Sequence, residues 1–230
     1  AAGGIDSILV ENTGDAPYAL DRIDPAGAIA MGLIIRRIMH FTQLPIGVSV
    51  LQNDPETALA IALNVGARFI RVGLLSGTAT CLGGLLQSKH RQLAAYKKLL
   101  QAEGIEVFAD VSPQKALLPA ALQTASNNVK ALCLEALSTG QADRLIVTDP
   151  HISAQALAEL SQTIDAPVLY DCAVPTGHIE PYWQATQGLV VSSSIKKSPL
   201  EGRRPNPTVD LTKVEDLMTR VGMYRQRGPA

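Results

Sequence analysis

The sequence predicts an α/β fold, a TIM-type (β/α)8 barrel with about seven β/α units present and the first unit missing. Seven short apolar runs each precede a helix-like stretch, and the first run begins almost at residue 1. The runs are rich in Val, Ile and Leu without polar alternation, as expected of parallel strands covered on both faces. Eight such units close the common barrel. The predicted strands are Ser7–Val10, Ile46–Leu51, Phe69–Leu74, Glu106–Val111, Leu145–Thr148, Val168–Tyr170 and Leu189–Ser192.

Start and stop residues between these runs predict the intervening helices. Asp54, Pro55 and Glu56 supply an N-cap, a proline at the first helical position and an early acid, and Gly66 supplies the stop. Ser88 is expected to cap a helix that ends at Gly104. Further helix starts are predicted at Asp24-Pro25, Ser153 and Asp210, and a further stop at Gly140.

The first residues, Ala1 to Gly4, resemble the end of a helix whose body is absent. We therefore expect roughly 30 to 40 residues, one strand and one helix, to precede this segment or to be supplied from elsewhere. The rival architecture is a doubly wound nucleotide-binding sheet, whose Gly-x-Gly-x-x-Gly turn is not found after the first run. A single barrel domain over residues 1–230 is the prediction.

Composition excludes several classes of function. The 230 residues carry a net charge of −1, which gives no general attraction for nucleic acid. No apolar run approaches the roughly 20 residues that span a bilayer. The three cysteines form no Cys-x-x-Cys pair, and the four histidines show no metal-binding spacing. We expect a cytoplasmic protein without a metal or cofactor.

Candidate site residues are those at the carboxyl ends of the strands, where the loops of a barrel converge. Glu11 and Asp110 are candidate catalytic acids or bases, with a buried structural hydrogen bond as an equal alternative. Arg71 is expected either to bind substrate or to form an ion pair with one of those two acids. The remaining substrate-binding candidates are Asn12, Asn53 and Asp171.

Two further carboxylates at strand ends have simpler explanations. Asp54 is expected to act as an N-cap and Asp149 to shape a turn before Pro150. The last strand leads into a segment of hydroxyls and a lysine, where barrels often hold phosphate. The predicted phosphate-binding residues are Ser192, Ser193, Ser194 and Lys196. Against this prediction, Asp171 at the preceding strand end would repel an anion.

Several short sequence segments resemble those of the BtpA/SgcQ family, and the first half of the chain is the more similar half. The matching segments are Gly4–Asp6, Val10–Asn12, Gly14–Pro17, Pro45–Val48, Leu51–Asp54, Ala58–Ala62, Val65–Val72, Ser76–Gly77 and Ala109–Val111. The resemblance implies a β/α barrel. It also implies a link to photosystem I biogenesis, because cyanobacterial members of the family have one and lie on the cytoplasmic side of the thylakoid.

The differences from the family pattern fall where a ligand would be held. Gly73 replaces a usual asparagine, Leu82 and Gln87 replace usual acids, and Gln114-Lys115 stands where Lys-His is usual. The usual Gly-Ser-Gly is Asp171-Cys172-Ala173, the glycine-bearing turn is Asp149-Pro150-His151, and the family's first strand with its His-Leu-x-Pro-Leu-Pro-Gly segment has no counterpart. These differences imply a family ligand site that is altered or lost.

Two functions remain as hypotheses from the sequence, and a non-functional or partial gene product is a third possibility that follows from the missing first unit. The leading hypothesis is a BtpA-like protein in photosystem I biogenesis or stabilisation, without committed catalysis, peripheral on the cytoplasmic thylakoid face and contacting photosystem I or that membrane surface. The alternative is a barrel enzyme that acts on a small phosphorylated substrate, with Glu11 or Asp110 as the base. No nucleic-acid partner is expected, and a homo-oligomer is expected in either case.

Overall fold

The structure is a computed structural model, which describes residues 1–81, 83–111, 125–171, 176–197 and 208–227. The strands in this part of the chain are β1 (Ile8–Glu11), β2 (Ile46–Ser49), β3 (Phe69–Val72), β4 (Thr78–Cys81), β5 (Gly84–Gln87), β6 (Glu106–Val111), β7 (Arg144–Val147), β8 (Val168–Asp171) and β9 (Gly188–Val190). Seven of them form one parallel sheet in the order β1-β2-β3-β6-β7-β8-β9, and β4 and β5 form a separate antiparallel hairpin. The predicted parallel sheet is confirmed, whereas the hairpin was not predicted.

Helices follow the strands of the sheet and cover its outer face. They are α1 (Pro25–Ile38), α2 (Pro55–Val65), α3 (His90–Leu99), α4 (Ala125–Ser138), α5 (Ala154–Thr163), α6 (Glu180–Ala185) and α7 (Leu211–Arg227). Because each crossover returns the chain to the same end of the sheet, every strand of the parallel sheet ends at one mouth.

The predicted helix caps are largely confirmed. The side chains of Asp24, Asp54 and Ser153 each accept a hydrogen bond from the first turn of α1, α2 and α5. Gly66 ends α2 in the left-handed conformation at φ 85°. The prediction for α3 was wrong at both ends. Lys89, and not Ser88, is its N-cap and makes no side-chain cap hydrogen bond, and the helix stops at Leu99, before Gly104. Gln101, two residues beyond the helix, has a φ of 52°.

Side chains alternate between the two faces of the sheet. Outward residues such as Val48, Ile70 and Leu145 are fully buried and pack with the helices in the main core. The inward residues of the middle layer form a second cluster, in which the rings of Phe69 and Phe108 stack with centroids 4.3 Å apart. The inward-facing layer nearest the mouth is polar and forms the candidate site.

The sheet is curled, as contacts across its concave face show. Arg71 on β3 contacts Asp171 on β8, although β6 and β7 lie between these strands in the sheet order. The ends of the described chain also meet, because Arg225 on α7 lies 2.6 Å from the carboxylate of Asp6. Among the described residues, β1 and β9 are the two edges of the sheet.

Candidate functional site at the barrel mouth

Arg71 is the centre of a charged layer at the carboxyl ends of the strands. Its place on β3 follows from the strand's alternation, since Ile70 and Val72 face the helices and Arg71 therefore faces inward. The parallel register aligns Arg71 with Ser49 on β2, and Ser49 with Glu11 on β1. Three neighbouring strands thus contribute inward polar side chains at one level.

Three carboxylates surround the guanidinium of Arg71. Asp110 binds it in a bidentate manner, with Nε to Oδ1 at 2.7 Å and Nη2 to Oδ2 at 3.1 Å. Asp171 accepts a hydrogen bond from Nη2 at 2.6 Å, and Glu11 lies 3.6 Å from Nη1. We refer to Arg71, Asp110, Asp171 and Glu11 as the mouth cluster. The structure therefore brings together both predicted catalytic acids and two of the predicted substrate-binding residues.

Burial differs strongly within the mouth cluster. The side chain of Asp110 is 4% exposed and that of Arg71 is 11% exposed. Glu11 and Asp171 are 25% and 29% exposed, so both are more accessible than Asp110. Asp110 is thus the buried partner that holds Arg71 in place, while Glu11 and Asp171 are the carboxylates that an incoming molecule could reach.

The charge on Arg71 is fixed by this arrangement. Burial alone would lower its pKa, but the carboxylates of Asp110, Asp171 and Glu11 outweigh that effect and raise the pKa of Arg71 above its ordinary value. Arg71 is therefore a permanent cation that already engages three carboxylates. A substrate anion would have to compete with those carboxylates for its N–H groups.

The two predicted asparagines join neighbouring loops at the mouth. Asn12 Oδ1 accepts a hydrogen bond from the backbone N–H of Leu51 at 2.8 Å. Asn53 is 2% exposed and exchanges two hydrogen bonds with the backbone of Leu74, donating to its carbonyl and accepting from its N–H. Each amide thus connects a loop that follows one strand to a loop that follows the next strand, and its polar atoms are used within the protein.

The other two acids at strand ends have the local roles that the sequence predicts. Asp54 Oδ1 accepts the N–H of Thr57 at 3.1 Å and caps α2, while its Oδ2 accepts the N–H of Ile23 at 3.0 Å. Asp149 Oδ1 accepts the N–H of His151 at 3.0 Å and shapes the turn after β7. Both carboxylates therefore accept hydrogen bonds from nearby backbone N–H groups and stabilise local structure.

The predicted phosphate segment forms a short turn after β9. Residues Ser193–Ile195 make one 3-10 turn, and the N–H of Lys196 donates to the carbonyl of Ser193 at 3.2 Å. The hydroxyl of Ser194 is buried without a hydrogen-bond partner in the part of the chain that is described. Ser192 and Ser193 are exposed. The segment thus presents two accessible hydroxyls at the end of the last strand.

Ser49 is a mouth residue that sequence reasoning missed. It is 4% exposed and lies between Glu11 and Arg71 in the register. The available signal was a hydroxyl at the carboxyl end of an apolar run, Ile46 to Val50. Among the described residues, no group of three or more His, Cys, Asp or Glu side chains could hold a metal ion.

The fold and the mouth cluster define a class: a parallel β/α barrel with its polar residues at the carboxyl ends of the strands. The sequence profile of the BtpA family matches residues 1–223, and the chain belongs to that family. Within the described residues, we find no helix with the length and apolar character needed to cross a membrane.

Relatives of the chain include proteins of a cyanobacterium, several archaea and an animal. It is 34% identical over 203 residues to the photosystem I biogenesis protein BtpA of Synechocystis, covering 86% of this chain and 68% of that protein. It is 29% identical to an uncharacterized protein of Methanocaldococcus jannaschii, covering 94% and 79% of the two chains. A mitochondrial protein of Caenorhabditis elegans is 27% identical, with 84% and 71% covered.

Solved structures with a similar fold are barrel enzymes. N-(5'-phosphoribosyl)anthranilate isomerase from Pyrococcus furiosus superposes with a TM-score of 0.61 at 16% identity, covering 95% of this chain and 88% of that one. Thiamine phosphate pyrophosphorylase from the same organism gives 0.59 at 13% identity, covering 96% and 85%. At these identities the likeness establishes the barrel fold alone.

Proposed function

We propose that this chain acts in the biogenesis or stabilisation of photosystem I, as a barrel without committed catalysis. The observation that carries the proposal is the 34% identity to the Synechocystis protein over 86% of this chain. In this proposal the protein works at the cytoplasmic face of the thylakoid and contacts photosystem I or the membrane surface around it.

The mouth cluster supports a role without catalysis. A general base must be free to accept a proton from a substrate, and the more deeply buried candidate, Asp110, is engaged in a bidentate bond with Arg71. The asparagines that could orient a substrate are bound to backbone groups. Most polar groups at this mouth therefore stabilise its loops.

Complementation tests this proposal directly. In a Synechocystis strain lacking its BtpA relative, expression of this chain is expected to restore the amount of photosystem I reaction-centre proteins, measured by immunoblot and by P700 absorbance per chlorophyll. The Glu11→Gln variant is expected to restore photosystem I to the same amount. The ion pair of Glu11 with Arg71 is long, at 3.6 Å, and the proposal assigns Glu11 no proton transfer. Accumulation of the folded chain without recovery of photosystem I would reject the proposal.

A second function is favoured by the distribution of the relatives. Methanocaldococcus jannaschii and Caenorhabditis elegans have no photosystem, yet each has a relative that covers more than four fifths of this chain. A property shared across the family would then be a chemical one, such as action on a small phosphorylated substrate. In that case Glu11 is the accessible base and the Ser192–Lys196 segment holds the phosphate.

Ligand-induced stabilisation tests the second function. A ligand that binds the native state at 100 times its Kd stabilises it by about 2.7 kcal/mol, which raises the melting temperature. Inorganic phosphate, sulfate and sugar phosphates are therefore expected to raise Tm, and the Lys196→Met variant is expected to lose that response. Unchanged melting of the wild type with all of these ions would remove this function from consideration.

A further inference from the structure

The mouth cluster carries more negative charge than its own cation neutralises. Three carboxylates surround the guanidinium of Arg71. Glu11 lies on the edge strand β1. Arg71, Asp110 and Asp171 lie on β3, β6 and β8, and each of these strands has a neighbouring strand on both sides. Two carboxylates beside one guanidinium on these interior strands already leave one negative charge in excess. The excess therefore does not depend on either edge of the sheet.

Asp171 presents this excess charge to the mouth through one carboxylate oxygen. Its Oδ2 accepts a hydrogen bond from Arg71 Nη2 at 2.6 Å, whereas its Oδ1 has no hydrogen-bond partner within the described residues. The side chain of Asp171 is 29% exposed, and that of Asp110 is 4% exposed. Hydrogen bonds between a carboxylate and a charged donor are the strong ones in proteins. Asp171 can thus accept a cationic donor while it keeps its bond to Arg71.

Ser49 supplies a second, independent acceptor at the same level of the barrel. It lies on β2 and is aligned with Arg71 on β3. Its side chain faces inward, because a Cβ at Gly47, two residues earlier, would overlap the inward ring of Phe69. Ser49 is 4% exposed, and in the part of the chain that is described its hydroxyl makes no hydrogen bond. A buried hydroxyl without a partner is costly, so it indicates a partner from outside the chain.

The chemistry of these acceptors selects the class of ligand. An anion would be repelled by the excess negative charge. A metal ion is not favoured, since no group of three or more His, Cys, Asp or Glu among the described residues could hold one. A quaternary ammonium has no N–H and is recognised by aromatic faces, but Phe69 and Phe108 belong to the apolar layer below the mouth cluster. A primary ammonium has three N–H donors and a compact charge, which suit a carboxylate and a hydroxyl.

We propose that the barrel mouth binds the primary ammonium group of a small organic amine, with Asp171 Oδ1 and the Ser49 hydroxyl as its acceptors. Asp110 compensates the charge of Arg71 through its bidentate bond, so Arg71 does not prevent a second cation from binding at Asp171. Glu11 adds further negative charge from β1. This inference goes beyond both proposed functions, because neither of them assigns a ligand to Asp171 or Ser49, and it requires neither photosystem I nor a phosphate.

Thermal unfolding of the full chain with added amines tests the proposal. Propylammonium chloride is expected to raise Tm with a saturable dependence on its concentration, which gives a Kd. Tetramethylammonium chloride and sodium chloride at the same ionic strength are expected to give no such rise. Asp171→Asn is expected to weaken propylammonium binding at least tenfold. Asp216→Asn is the matched control, since it removes the same charge from the outer helix α7, and its Kd is expected to equal that of the wild type.

Ser49→Ala provides a second variant that keeps every charge and tests the proposal even if Asp171→Asn does not fold. It is expected to weaken propylammonium binding at least tenfold, as loss of a hydrogen bond to a charged group does. Its Tm without amine is expected to match the wild type, because the hydroxyl has no partner among the described residues. No saturable rise of the wild-type Tm, an equal rise with tetramethylammonium, or a Kd that Ser49→Ala leaves unchanged would each overturn the proposal. Complementation and the phosphate titration are separate readouts, so failure here is distinguishable from failure of either proposed function.

Discussion

Arg71 lies at the centre of the candidate site, yet its contacts give it a structural role. A buried guanidinium is costly unless carboxylates compensate its charge, and Asp110 with Asp171 provides three hydrogen bonds to it. The negative charge around Arg71 exceeds what its single positive charge needs, because three carboxylates surround one guanidinium. The mouth is therefore electrostatically suited to a cationic group more than to an anion.

Loss of the Arg71 charge is expected to destabilise the protein severely. Arg71→Leu would leave the carboxylate of Asp110, 4% exposed, without its bidentate partner, and breaking a buried pair in this way costs about 3–5 kcal/mol. Urea unfolding at pH 7 measures the change. Arg71→Lys, which keeps the charge and loses the bidentate geometry, is expected to cost less. Equal stability of Arg71→Leu and wild type would contradict the structural role.

Cys133 is expected to make the protein less stable as the pH rises through the alkaline range. Burial raises the pKa of this thiol from 9.0 to about 12, so the unfolded state releases the proton first as pH rises. The stability contributed by the neutral thiol is therefore complete below pH 9 and is lost progressively as pH rises from about 9 to 12.

The Cys133→Ala variant isolates this effect, since all other titrating groups are shared with the wild type. It is expected to be less stable at pH 8, because Cys133 is fully buried and its removal leaves a cavity. The difference in the free energy of unfolding between the two proteins should narrow between pH 9 and pH 10.5, as measured by urea unfolding. A difference that stays constant over this range would contradict the prediction.

The inner layer of β2 and β3 depends on a glycine. Gly47 on β2 is aligned with Phe69 on β3, and a Cβ at position 47 would overlap the Phe69 ring, which stacks on Phe108. The absence of a side chain on one strand thus makes room for an aromatic ring on the next. This pairing of small and large residues is how a small barrel fills its interior.

Gly47→Ala is therefore expected to destabilise the protein by about 1–3 kcal/mol through overpacking. Gly104→Ala is the matched control, since an added Cβ there has no heavy atom within 4 Å, and it is expected to be close to neutral. The double variant Gly47→Ala/Phe69→Leu should lose less stability than the two single changes summed. Thermal unfolding of the wild type, the two single variants, the double variant and the Gly104→Ala control measures these differences. An unchanged Tm for Gly47→Ala would contradict the packing argument.

Strands and most helix caps could be predicted because their signals are local. The run Glu106–Val111 is a strand with the predicted limits, and Asp54 caps α2 as its sequence context indicates. The β4–β5 hairpin was missed because Thr78–Gln87 is short and only weakly alternating, although Gly83-Gly84 marks its turn. The predicted ion pairing of Arg71 with Glu11 or Asp110 is present, but Asp171 was not foreseen as a partner. Periodicity places a residue on a strand face, and curvature of the whole sheet decides which distant strands meet.

Curling of the parallel sheet is what makes the mouth cluster one unit. In a flat sheet, three strand spacings of about 4.8 Å would separate β3 from β8 by about 14 Å, too far for an ion pair. The 2.6 Å contact between Arg71 and Asp171 therefore exists because the sheet curls. A thermodynamic coupling between these two residues is a measure of that curvature in solution.

A double-mutant cycle with Arg71→Leu and Asp171→Asn is expected to give a coupling free energy of about 0.5–3 kcal/mol. The matched control is a cycle of Arg71→Leu with Asp216→Asn, whose carboxylate pairs with Arg220 on the outer helix α7. That control should be additive within about 0.5 kcal/mol. Additivity in both cycles would contradict the contact between β3 and β8 and, with it, the concave mouth on which the second proposed function depends.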